Sequence, residues 1–120
     1  MNARNTVRTV ALLAIIALVA GCSGPEDKKM KFFNKGQTLF EKGDYTKARL
    51  EFRNALQIDP KFDRAHYMLG MVELKEKNLQ RAFGALSKAV ELNTDFYDAQ
   101  VALGNVLLMG QEKAAISSNK

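Results

Sequence analysis

The sequence predicts an all-α fold, a solenoid of antiparallel helix pairs set behind an export leader. Three observations predict it. The chain matches itself when shifted by thirty-four residues: Gly36 falls on Gly70 and Gly104, Ala48 on Ala82, Ala55 on Ala89, and Phe62 on Phe96. Apolar residues recur at spacings of three and four, the period of one helix face. Turn-forming residues punctuate each segment, as in Gly43-Asp44 and Asp59-Pro60.

Composition narrows the function classes. The 120 residues suit one small domain, and 47% hydrophobic with 26% charged residues fits a folded chain. One Cys excludes an internal disulfide, and one His with one Cys leaves no zinc set and no spare parts for nucleophilic catalysis. The formal charge is +5; without Arg4 and Arg8, sixteen basic and thirteen acidic side chains leave +3. Mixed charges at that balance indicate a solvated surface rather than nucleic-acid binding. No Gly-rich phosphate loop is present, and no cofactor, metal or catalytic residue is expected.

The chain opens with a polar stretch carrying Arg4 and Arg8, followed by eleven unbroken apolar residues from Val10 to Ala20. That run is shorter than the ~20 residues of a spanning helix and has the length of a signal-peptide core. It ends in Leu18-Val19-Ala20-Gly21-Cys22, which resembles the lipobox of bacterial lipoproteins. The resemblance implies cleavage before Cys22, lipid on its thiol, and anchorage in the cell envelope. Ser23 resembles the outer-membrane sorting class, facing the periplasm. Residues 1–21 are thus expected to be signal peptide. Residues 22–29, with Gly24 and Pro25 among polar residues, are expected to be the lipidated Cys and a flexible tether.

The repeat region spans residues 30–110, with units at about 29–62, 63–96 and a partial 97–110. The first helix runs Met30 to Lys42, with Phe32, Phe33, Leu39 and Phe40 apolar and Gly36 on their side. Gly43 ends it, and Asp44 caps the next helix. That helix presents Tyr45, Ala48, Phe52, Ala55 and Leu56, and stops at Asp59-Pro60. The second pair runs Asp63 to Glu76 and Asn78 to about Leu92, with Leu69, Gly70, Leu79, Ala82, Leu86 and Ala89 inward. A third opening helix runs Tyr97 to Met109 and is expected to end at Gly110. Only residues 111–120 follow, an incomplete or disordered tail too short to hold a helix alone.

These residues resemble the tetratricopeptide repeat (TPR), whose pattern is W-x₂-L-G-x₂-Y, A-x₃-F, P. Unit one carries Phe32, Lys35, Gly36, Leu39, Ala48, Phe52 and Pro60; unit two carries His66, Leu69, Gly70, Glu73, Ala82, Leu86 and Thr94. Lys35, Glu73 and Thr94 depart from the pattern. His66 stands in the place of the family's Trp and is read as a packing residue. The resemblance implies a superhelix whose first helices line a concave groove that takes a protein or peptide partner. Groove positions carried over residue by residue are Met30, Phe33, Gln37, Phe40 and Glu41; Arg64, Tyr67, Met71, Leu74 and Lys75; Asp98, Val101, Asn105, Leu108 and Met109. Repeats that clamp a C-terminal carboxylate use Lys and Asn where this chain has Phe33 and Gln37, which disfavours that activity.

The function this implies is a lipid-anchored, non-enzymatic adaptor for protein partners in the envelope. Similar lipoproteins serve secretion, pilus, outer-membrane or exopolysaccharide assembly, the exosortase-associated type sharing this layout. The alternative is an N-terminal remnant of a longer TPR lipoprotein without binding activity of its own. Val101, Leu103, Val106, Leu107, Leu108 and Met109 make the third opening helix apolar all round. Three readings of that end stand open: truncation of a longer array, homodimerisation through the incomplete repeat, or a partner that supplies the missing helix.

Overall fold

The computed structural model describes residues 24–120; the leader and Cys22 lie outside the described residues. Those residues form five helices and no strand: α1 Pro25–Glu41, α2 Tyr45–Ile58, α3 Asp63–Lys75, α4 Leu79–Leu92 and α5 Tyr97–Ser118. The helices pair in order, α1 with α2 and α3 with α4, and α5 packs on the second pair.

Small residues set the spacing within each pair. Ala48, Ala55, Ala82 and Ala89 are fully buried, and the Phe52 and Leu86 side chains lie against Gly36 and Gly70. The first core gathers Phe33, Phe52, Phe62, Ala65 and Val72, and the second Ala82, Leu86, Ala102 and Val106. Burial of each Phe or Leu contributes about 1.5–3 kcal/mol.

The first turn forms as its residues dictate. Gly43 has φ 78°, and the amides of Gly43 and Asp44 donate to the carbonyls of Phe40 and Leu39 at 3.0 and 2.9 Å. Asp44 Oδ1 then accepts from the Lys47 amide at 3.2 Å, capping α2. Thirty-four residues on, Lys77 and Asn78 repeat both backbone bonds, to Leu74 and Glu73 at 3.0 and 2.8 Å, with Lys77 at φ 62°.

A second tie also recurs with its polarity exchanged. Lys29 Nζ donates to Asp59 Oδ2 at 2.9 Å, joining the start of α1 to the turn after α2. In the next unit Asn93 Nδ2 donates to Asp63 Oδ2 at 2.7 Å, joining the turn after α4 to the start of α3.

Two expectations are corrected. Residues 25–29 are not a tether but the opening of α1. Pro25 occupies the first helical position, where its missing N–H costs nothing, and Glu26 and Asp27 face the positive end of the helix dipole. Residues 111–120 are not an irregular tail either, because α5 continues through Gly110 to Ser118. In register with Gly43-Asp44 and Lys77-Asn78 stand Gln111-Glu112, which lack the glycine of the first turn and the short Asp or Asn side chain of both. Gly110 stands one residue too early. Extending an existing helix through a glycine costs about 1 kcal/mol, less than nucleating a new one.

Two of the three consensus departures, Lys35 and Glu73, carry side-chain partners. Lys35 Nζ reaches Glu51 Oε1 at 2.5 Å, where unit two has Leu69 and Ala85. Glu73, only 3% exposed, accepts from Arg49 Nε at 2.8 Å and from Asn78 Nδ2 at 3.2 Å, and Arg49 also pairs with Glu76. The corresponding seam between α4 and α5 carries Phe83 and Leu107 instead.

Candidate functional site

The first helices α1, α3 and α5 converge on a cleft of about 230 Å³. Phe33 and Gln37 come from α1, Arg64 and Tyr67 from α3, Phe96 from the turn before α5, and Asp98 from its first turn. The thirty-four-residue register produces this convergence, since each unit presents the same face at the same height.

Phe33 is a core residue and forms the cleft floor. It is 1% exposed, with its ring 5.7 Å from Phe52 and 4.9 Å from Phe62 between centroids. The Arg64 guanidinium lies 4.9 Å above the Phe33 ring, a cation–π arrangement that holds the charge at the mouth. Tyr67 stacks against Phe96 at 4.9 Å in a tilted geometry. Burial, with Asp98 nearby adding to it, pushes the Tyr67 hydroxyl above its ordinary pKa, so it stays a neutral donor. The cleft therefore offers an apolar floor with a cation and a carboxylate among its lining groups.

The remaining groove candidates separate from this cleft. Phe40 is half-buried and packs edge-on against Tyr45 at 5.4 Å. Leu74 lines a different hollow of about 340 Å³, with Lys77, Leu79, Met109 and Lys113. Met71 is half-buried beside the second core, and Lys75 is exposed. Val101, Asn105 and Leu108 are exposed on α5 and line neither hollow. His66 is half-buried, its Nε2 2.9 Å from the Pro60 carbonyl, which suits a role in the α2–α3 turn.

Sequence reading missed one groove altogether. Leu79, Phe83, Val106, Leu107, Gly110 and Ala114 line an apolar groove of about 520 Å³ between α4 and α5. Its signal was in the register: Phe83 and Leu107 fall where the preceding seam has Arg49 and Glu73. Among the described residues no cluster of His, Cys, Asp and Glu is placed to hold a metal, and no helix is long and apolar enough to cross a membrane.

Paired helices, small residues at each crossing and a cleft built by successive first helices define a helical-repeat interaction module. The family comparison agrees: a TPR repeat model matches residues 36–77, and a tetratricopeptide repeat model matches residues 63–96. The chain carries tetratricopeptide repeats. Such repeats bind protein or peptide partners and are typically non-catalytic scaffolds. A comparison with curated proteins found no match.

Proposed function

We propose that the chain is a membrane-anchored TPR adaptor that takes an extended peptide segment of a partner protein in the α1–α3–α5 cleft. The observation that carries this reading is the meeting of Phe33, Gln37, Arg64 and Tyr67 with Phe96 and Asp98 around one opening. The cleft chemistry suits a peptide with an apolar side chain for the Tyr67–Phe96 pair and an acidic group for Arg64. Asp98 and Gln37 can engage backbone amides. Rigid aromatics beside an arginine are the side chains that concentrate binding energy at protein interfaces.

The anchor is proposed from the leader alone. Arg4 and Arg8, the apolar run Val10 to Ala20, and Leu18-Val19-Ala20-Gly21-Cys22 support lipidation at Cys22 and a place in the cell envelope, and Ser23 after the Cys supports the outer membrane, facing the periplasm. A groove held at a membrane by lipid raises the local concentration of envelope partners. Assembly or export of envelope components is the proposed setting, on the lipobox placed just ahead of regular repeats.

The test is fluorescence titration of the chain with labelled peptides of the stated pattern. Binding should weaken about tenfold or more in Arg64→Ala and in Tyr67→Ala. Binding that both variants leave unchanged would overturn the cleft assignment. Palmitate labelling that persists in Cys22→Ser would overturn the anchor separately.

A further inference from the structure

The face of α5 directed away from the repeats has a pattern that neither the cleft nor the core uses. At about 100° per residue, Tyr97, Val101, Gly104, Leu108, Gln111 and Ala115 lie within roughly 40° of one line. Ala99, Ala102 and Val106, which pack on the preceding unit, occupy the opposite side. The outer residues are spaced four, three, four, three and four apart, the alternation of a coiled-coil seam. Tyr97, Val101 and Leu108 are 71%, 64% and 65% exposed, and no charged residue interrupts the seam.

Gly104 completes the pattern. Gly36 and Gly70 are filled by Phe52 and Leu86, whereas a β-carbon on Gly104 would meet nothing within 4 Å. It is an open socket of the same kind, one helical turn from an exposed leucine.

We infer that this seam is a self-interface, closed by a second copy of the chain with the two α5 helices antiparallel. The sequence is self-complementary in that orientation. With the two-fold axis near residue 106, Leu108 of each copy enters the Gly104 socket of the other, Val101 faces Gln111, and Tyr97 faces Ala115. The central layer sets leucine against glycine and the outer layer tyrosine against alanine, and the layers join alternate seam positions as antiparallel pairing requires. Leu107 meets its own copy beside the axis. A two-fold pair uses the same patch twice, so both sockets fill at once. Tyr97, Val101, Leu107 and Leu108 each present on the order of 100 Å², so with the exposed Gln111 and Ala115 the pair buries about 1,000 Å², the size at which a specific interface begins. Val101 and Leu108 thus serve self-association rather than the peptide cleft.

The test is the sedimentation mass of the full chain in a non-ionic detergent, across protein concentration, with the detergent contribution subtracted. Two copies are expected. Leu108→Glu places two charges in the dry seam, and Gly104→Leu plugs both sockets; each should weaken self-association at least tenfold. Gly104→Leu replaces an exposed helical glycine, so its melting point in the monomeric range should hold or rise, which separates loss of the interface from loss of fold. A one-copy mass at all concentrations, self-association unchanged by both substitutions, or one copy joined to a different polypeptide would overturn the inference.

Discussion

A β-carbon built on Gly36 would lie 2.6 Å from Phe52 Cε1, closer than real side chains approach, while the register-equivalent position Gly104 has open space. The same residue type therefore has opposite meanings one and two repeats apart. Gly36→Ala should lower stability by about 1–3 kcal/mol, because the buried Phe52 ring must shift within a packed core. In the monomeric concentration range Gly104→Ala should raise it by up to about 1 kcal/mol, because only helix propensity changes there. Thermal unfolding followed by circular dichroism measures both. Equal shifts of one sign would contradict the crossing geometry.

The Arg49–Glu73 pair predicts strong non-additivity. Arg49→Phe alone leaves a carboxylate that is 3% exposed with Asn78 as its remaining side-chain partner, and should cost about 3 kcal/mol or more. Glu73→Leu alone leaves Arg49 with Glu76. The double substitution Arg49→Phe with Glu73→Leu installs the pair that the α4–α5 seam already has, Phe83 and Leu107. Its stability should return to within about 1 kcal/mol of the native chain, because apolar residues of similar volume replace a buried ion pair with little loss. A denaturant-unfolding double-mutant cycle reads the coupling; additive losses would show that the pair is incidental.

Much of this fold was legible because small residues and turn residues recur in step. Gly43-Asp44 and Asp59-Pro60 announced their turns through backbone freedom and side-chain caps, and both turns formed where expected. The start of α1 was hidden because Ser23 to Lys29 has no apolar residue; its anchor is Lys29, held by Asp59 thirty residues away. The path of α5 was hidden because Gly110 looked like a stop, although the register places the needed left-handed residue at 111. At the site, Phe33, Gln37, Arg64 and Tyr67 share a cleft because the repeat aligns them. Phe40, Met71 and Leu74 occupy equivalent faces, but their neighbours close around them differently in each unit. No single-residue pattern encodes that.

Lys77 exposes a residual strain. It adopts φ 62° where the preceding unit has Gly43 at φ 78°. A side chain in the left-handed region costs about 1–2 kcal/mol relative to glycine. Glycine loses more freedom on folding, so Lys77→Gly should stabilise the chain by a net ~0.5–1 kcal/mol. The turn hydrogen bonds at Leu74 and Glu73 involve only backbone and should persist. The reciprocal Gly43→Lys should destabilise by a similar amount. Chemical denaturation of both variants tests the pair, and a destabilised Lys77→Gly would mean that the lysine side chain holds the turn.

The tie between Lys29 and Asp59 predicts a defined pH dependence. The hydrogen bond from Lys29 is the largest influence holding Asp59 below its ordinary carboxylate value, with burial working against it and the Lys61 amide adding to it. A carboxyl with a lowered folded pKa contributes stability that is complete above its unfolded value, near about 4, and is lost as pH falls through the folded value. Lys29 is raised, first by Glu26 and then by Asp59, so its share is complete below the ordinary lysine range and fades as pH rises through its folded value. Asp59→Asn keeps the turn, since Asn93 makes the equivalent bond to the Asp95 amide at 3.1 Å, but removes the titrating charge. The native chain should melt a few degrees above Asp59→Asn near neutrality, and the gap should close below about pH 4. The comparison isolates Asp59 from Asp44, which Lys47 also lowers and which titrates in the same range in both proteins. Melting curves at intervals between pH 2 and 8 decide it: a gap that stays constant into acid would show that the tie works through shape rather than charge.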